Sequence, residues 1–316
     1  MELFRNNPFC RLLGIKYPIL QGGMAWVADA DLAAAVSNAG GLGLIAAMSM
    51  SGEQLRAEIR RAKSLTDKPF GVNIMLMSPY AAEVARVAAE ESVKAVTTGA
   101  GNPAQFIKDW LDAGIKVLPV VPSVAFAKLV ERSGASAVIC EGCEAGGHIG
   151  ELTTMTLVPQ VCDAVKIPVA AAGGIADGRG AAAAFMLGAT AAQLGTRFLV
   201  AKECGVHSNY KNAVLKAGDI DTIVTGRRTG HPVRALKTAF TRNFAKAEAD
   251  ASLSSEDILK LGSGALRLAA VEGDIQNGSF MAGQCAGLVK KEQTALDIIE
   301  EIFSEFEIVL NKIKDM

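Results

Sequence analysis

Eight short apolar runs alternate with stretches of helical periodicity over about 200 residues, a rhythm that few folds accommodate. The runs are Tyr17–Gln21, Gly43–Ala46, Phe70–Ile74, Ala95–Thr98, Val117–Val121, Ala137–Cys140, Pro168–Ala171 and Ala191–Leu194. Between them, the spacing predicts helices over Asp31–Asn38, Gly52–Ser64, Pro79–Glu91, Pro103–Ala113, Ser123–Arg132, Leu157–Val165 and Gly178–Leu187. Asp29, Ser78, Asn102 and Ser123 are candidate helix caps, and Gly40, Gly114, Gly134 and Gly188 are candidate stops. Runs rich in Val, Ile and Ala with few polar interruptions predict strands buried on both faces, hence a parallel sheet. An open doubly wound sheet would carry Gly-x-Gly-x-x-Gly after its first strand, whereas Gly22-Gly23-Met24-Ala25-Trp26 stands there. The expected architecture is therefore a (β/α)8 TIM barrel.

After the eighth run the pattern changes. Polar loops, short helices and a basic segment from Gly226 to Arg234 predict a smaller, mostly helical lobe over the barrel mouth, spanning 204–285 after a barrel of 1–203. Ile298, Ile299, Ile302, Phe303, Phe306, Val309 and Ile313 fall near helical spacing, so 286–316 is expected to return to the barrel as an amphipathic helix.

A formal charge of −1 with scattered basic residues gives no field for a polyanion, which argues against nucleic acid as the partner. No apolar run approaches the roughly 18 residues of a membrane span, and Met1 to Pro8 lack a signal core, so a cytoplasmic location is expected. Six cysteines thinly spread over 316 residues do not suggest a disulfide framework. Cys140 and Cys143 form a CxxC, but at a strand end and without a second ligand pair, so bystander thiols and no metal site are expected.

In a barrel the functional groups follow the strands. Glu141-Gly142-Cys143-Glu144-Ala145-Gly146-Gly147-His148 follows the sixth run, and it can present an imidazole at the edge of a pocket. Gly173-Gly174 follows the seventh run and Gly195-Thr196 the eighth, the two places where this fold keeps phosphates. The rim is otherwise poor in charged catalytic residues. That suits a flat cofactor bringing its own reactivity, flavin mononucleotide first and a sugar phosphate second.

Taken together, Pro18 to Asp29, Lys68 to Met75, Val96 to Pro103, Pro119 to Ser123, Glu141 to Gly150, Ala171 to Ile175, Leu194 to Phe198 and Ser279 to Gln284 resemble the nitronate monooxygenase-like flavin barrels. The resemblance is to their enoyl-acyl-carrier-protein reductase branch, and it covers nearly the whole chain. It implies bound FMN, with Gly22, Gly23, Met24 and Asn73 along the rings and Gly173, Gly174, Gly195 and Thr196 around the phosphate. Met281 and Gln284 would close over the cofactor, and Glu141, Gly146, Gly147 and Ala172 would complete the set. His148 would be catalytic, with Glu141 or Glu144 orienting its ring. NADH or NADPH would donate electrons, an acyl carrier protein would deliver a trans-2-enoyl thioester, and the protein would act as a homodimer. The run Arg227, Arg228, Arg234, Lys237 and Arg242 would meet the acidic carrier protein or the nicotinamide nucleotide. Nitronate oxidation on the same cofactor, flavin binding without turnover, and sugar-phosphate isomerase or aldolase chemistry are the rival readings.

Overall fold

The computed structural model describes residues 4–315. In chain order the strands are β1 (Ile19–Gln21), β2 (Gly43–Ala46), β3 (Phe70–Met75), β4 (Ala95–Gly99), β5 (Lys116–Val121), β6 (Val138–Glu141), β7 (Gly147–His148), β8 (Val169–Ala172), β9 (Ala191–Leu194), β10 (Thr222–Thr225) and β11 (Val233–Leu236). Eight of them form one parallel sheet in the order β1-β9-β8-β6-β5-β4-β3-β2. A parallel bridge between Leu20 and Leu42 joins its two ends, so the sheet is a closed barrel. Where that seam is thin, the buried Gln21 carboxamide accepts the Leu44 N–H at 3.0 Å.

Period-two alternation sorts the side chains. Leu20, Leu44, Ala95, Leu118, Ala137, Ile139, Ala170 and Ala191 fill the interior. Ile19, Val121, Val138, Cys140, Ala171 and Leu194 face the surrounding helices. A helix unmarked in the sequence reading, Pro8–Leu13, closes the N-terminal end of the barrel with Phe9, Cys10 and Leu13. Asn7 caps it by accepting from the N–H groups of Phe9 and Cys10, and its amide donates to the Thr190 carbonyl at 2.8 Å. Pro8 at the first helical position completes the start signal.

Asp29 and Ser123 cap their helices as expected. Ser78 and Asn102 do not. The Ser78 hydroxyl bonds the Met48 carbonyl and the Tyr80 N–H, and Tyr80 precedes the helix Ala81–Glu90 without a side-chain cap. Asn102 accepts from Ala104 N–H, one residue before Pro103 takes the cap position. Gly40, Gly114, Gly134 and Gly188 all adopt positive φ where their helices stop.

The C-terminal helix, Ala295–Lys314, packs against the helices Gly178–Met186 and Ala30–Asn38, which places it as the eighth helix of the barrel. The lobe is thus inserted between the eighth barrel strand and its helix. It contains helices Ser208–Lys216, Ala239–Ala249 and Ser255–Gly262, and also an antiparallel hairpin, β10–β11, that no sequence signal revealed. One buried cluster runs from the barrel helices into Tyr210, Val214, Leu236, Ala269 and Phe280 of the lobe. No helix among the described residues is long and apolar enough to cross a membrane.

Candidate active site

Continuing the inward alternation to the C-terminal strand ends places Asn73, Thr97, Glu141, Ala172 and Gln193 around the barrel mouth. Thr97 and Gln193, polar residues at the ends of the fourth and eighth runs, were not among the expected cofactor contacts, although counting by twos from the interior residues Ala95 and Ala191 points to both. The Thr97 hydroxyl donates to Asn73 Oδ1 at 2.8 Å and fixes that amide. The loop after β1 reaches Asn73 directly. A Cβ on Gly23 would lie 2.2 Å from Asn73 Cβ, so glycine is required by contact. Met24 reaches the eighth strand end, its sulfur 3.7 Å from a Cβ built on Gly195.

Gly173 and Gly174 have φ of +94° and +75°, a left-handed pair that turns successive N–H groups to one side. Among the described residues, the N–H groups of Gly173, Gly174, Gly195 and Thr196 donate to no protein acceptor. β8 and β9 are paired neighbours, so these donors lie at adjacent strand ends. The nearby helix Gly178–Met186 does not add its N-terminus. Asp177 accepts from Gly180 N–H and Glu305 from Gly178 N–H, so carboxylates already hold those amides. The Thr196 oxygen accepts from Gly283 N–H at 2.9 Å, which leaves its O–H free to donate. That bond ties the lobe to the barrel mouth, and the free amides and the Thr196 O–H together could donate to an anion here.

The histidine loop is pinned on three sides. β7 pairs antiparallel with β11, His148 opposite Val233 and Gly147 opposite Arg234. The buried Arg234 guanidinium donates twice to the Cys143 carbonyl, at 3.1 and 2.9 Å, and once to Thr222 Oγ1 at 3.2 Å. On the other side Gly146 lies against the 282–283 backbone, where an added Cβ would be 2.6 Å from the Ala282 carbonyl carbon. Glu144 closes the third side. Its carboxylate accepts from the N–H and hydroxyl of Thr154, and its carbonyl accepts from Gln284 N–H at 2.9 Å. Glu144 therefore anchors the loop and does not orient the imidazole. Glu141 makes no hydrogen bond to His148 either; among the described residues the imidazole has no hydrogen-bond partner, and its backbone is held by the pairing with Val233.

The fixed loop leaves the His148 side chain exposed within a recess. Loss of hydration there, then the nearby His231, lowers its pKa below the usual histidine value. The imidazole is neutral near pH 7 and offers an N–H donor to an incoming oxygen. Met281 stands beside it, its sulfur 3.7 Å from a Cβ built on Gly147, and the fully buried Tyr210 donates to the Met281 carbonyl at 2.7 Å. Gln284 is exposed at the edge. The structure thus brings the expected residues to one mouth. Arg227, Arg228 and Arg234 of the basic run have internal partners instead. Burial raises the Cys140 thiol to about 12, so the CxxC carries no thiolate at neutral pH.

Two measurements follow from this geometry. Arg234→Ala leaves the Cys143 carbonyl without its donors and should cost about 1–3 kcal/mol in urea unfolding. Burial raises the Glu141 carboxyl to about 7, which makes its charged form unfavourable in the fold. The folded state then holds a proton that the unfolded state has released, so stability should fall as pH rises from the ordinary carboxylate range to about 7, and then level off. Glu141→Gln should remove that slope, worth on the order of 3 kcal/mol, in unfolding curves of the apoprotein across this range.

The sequence profile of nitronate monooxygenase matches residues 6–92 and 78–305. The chain belongs to the nitronate monooxygenase family. Within and around this family, the solved structure of FabK from Thermotoga maritima shares 50% sequence identity with the chain. It superposes with a TM-score of 0.96 over 98% of this chain and 99% of that one. The (3aS,4S,5R,7aS)-5-hydroxy-7a-methyl-1-oxo-octahydro-1H-indene-4-carboxyl-CoA dehydrogenase of Rhodococcus jostii strain RHA1 is 35% identical over 93% of this chain and 94% of its own length. A probable nitronate monooxygenase of Staphylococcus saprophyticus is 35% identical over 95% of this chain and 98% of its own. The family thus spans more than one chemistry on one scaffold.

Proposed function

We propose that the protein is an FMN-dependent enoyl-acyl-carrier-protein reductase using NADH or NADPH and serving fatty acid elongation, and that it works as a homodimer. The observation that carries this reading is the 50% identity, over nearly the full length of both chains, with FabK, an enoyl-acyl-carrier-protein reductase.

The mouth fits a flavin. The unbonded N–H groups of Gly173, Gly174, Gly195 and Thr196 at adjacent strand ends suit a phosphate. Asn73 and Gln193 supply polar edges, with Met24, Met281 and Ala172 as apolar walls. When bound, the flavin supplies hydride transfer between the nicotinamide and the alkene. The protein's part is to bind and polarise the thioester. As the β-carbon is reduced, negative charge develops on the thioester oxygen. The neutral His148 N–H donates to that oxygen and stabilises the enolate, whose α-carbon takes its proton from solvent, directly or through the ring once water has protonated it. One well-aimed donor of this kind contributes about 3 kcal/mol.

The relatives named for nitronate oxidation make that reaction the second reading, since the same imidazole serves both. The purified protein should be yellow, bleach anaerobically with NADH or NADPH, and recover its colour rapidly with an enoyl thioester but slowly with oxygen. Ready consumption of nitronates with enoyl thioesters untouched would reverse the choice.

A further inference from the structure

The basic segment of the lobe holds cations that neither the fold nor the site uses. Between Gly226 and Asp250 there are six cations and two carboxylates, in a chain whose totals are 32 and 33. Arg234 is committed to the Cys143 carbonyl, Arg228 to the carbonyls of Glu248, Asp250 and Leu253, and Arg227 to Glu151. Lys237, Arg242 and Lys246 are exposed, and none pairs with a carboxylate among the described residues. Arg242 and Lys246 stand four apart on the helix Ala239–Ala249 and share its solvent face, with Lys237 at its entry. Like charges at that spacing oppose helix formation, so folding does not account for them.

Beside this ridge lies a shallow groove with Phe240, Phe244, Leu261 and Leu268 on its walls and Asn243 and Asn277 among its polar lining. Leu261, on the helix Ser255–Gly262, is 50% exposed. The helix bearing the ridge follows directly from β11, whose Val233 faces His148. Lys237 lies four residues further on, about 13 Å along the strand. The cations form an extended row without convergent backbone amides. A row suits a broad acidic surface, whereas a single phosphate group would call for a cradle.

We propose that this ridge and groove form the docking surface for the acyl carrier protein, an acidic partner that sets its carboxylates on Lys237, Arg242 and Lys246 and an apolar side chain in the groove. The proposal rests on the enoyl reductase reading. Its test compares two substrates that share the reacting group. Crotonyl-acyl carrier protein needs docking, and crotonyl-N-acetylcysteamine does not.

The holoenzyme carrying Lys237→Glu, Arg242→Glu and Lys246→Glu should retain its flavin and its rate with the small thioester. Its KM for the carrier-bound substrate should rise ~10-fold or more, with a weaker salt dependence than wild type. A control triple on the barrel flank, Lys128→Glu, Arg132→Glu and Lys166→Glu, should leave both substrates unchanged. Equal KM for the carrier-bound substrate in wild type and the lobe triple would overturn the proposal, as would an equal rise in the control triple. A wild-type enzyme that reduces neither thioester would defeat the functional reading itself, and the docking surface with it.

Discussion

Replacing His148 with alanine is expected to lower the rate of enoyl-thioester reduction by about 100-fold or more while leaving the yellow cofactor bound. A 100-fold loss corresponds to about 2.7 kcal/mol of transition-state stabilisation. Retention of cofactor follows from the architecture. The loop is fixed by the β7–β11 pairing, by Arg234 on the Cys143 carbonyl, by Glu144 on Thr154 and by the close approach of Gly146 to Ala282. None of these contacts uses the imidazole, so truncating it removes a donor without moving its support. Single-turnover reoxidation by crotonyl thioester, followed at the flavin band, isolates the step. Bleaching by NADH should stay near the wild-type rate. An unchanged reoxidation rate would remove His148 from the chemistry.

Gly23→Ala should have a comparably large effect by another route. Its new methyl would overlap Asn73, 2.2 Å from both Cβ and Cγ, so Asn73 must move and lose the Thr97 hydroxyl at 2.8 Å. Overpacking of this kind costs about 1–3 kcal/mol. Because the displaced amide sits at the mouth, flavin occupancy should fall with stability. Cofactor content after gel filtration and the thermal midpoint of the apoprotein measure the two losses separately. Gly23→Ala combined with Asn73→Gly removes the overlap and should recover stability without recovering full occupancy. A single variant as stable and as fully loaded as wild type would show that the contact does not matter.

The barrel was legible because its signal is periodic. Uninterrupted apolar runs such as Ala137–Cys140, set off by the glycine stop at Gly134, specify buried parallel strands independently of long-range contacts. The glycines at the mouth were legible by position, since they follow the seventh and eighth barrel strands. The lobe hairpin was not legible, because β10 and β11 are short and joined by a loop whose Arg227 and Arg228 read as a charge cluster. Glu144 and Thr196 show a different limit. Glu144's residue type suits a histidine-orienting carboxylate, but Thr154, ten residues on, engages it instead, and Thr196 also accepts from Gly283 N–H, 87 residues away, a contact that spacing does not reveal. Arg234 likewise reads as surface charge until the fold sets it over the Cys143 carbonyl. Composition and spacing locate a site; which polar groups remain free in it is decided by distant partners.

The short helix Pro8–Leu13 has a kinetic consequence. With Phe9 and Leu13 sealing the floor of the barrel, traffic is confined to a single doorway. The electron donor and the acceptor are then expected to share that entrance in turn, and parallel double-reciprocal plots for the two would bear this out where intersecting ones would refute it.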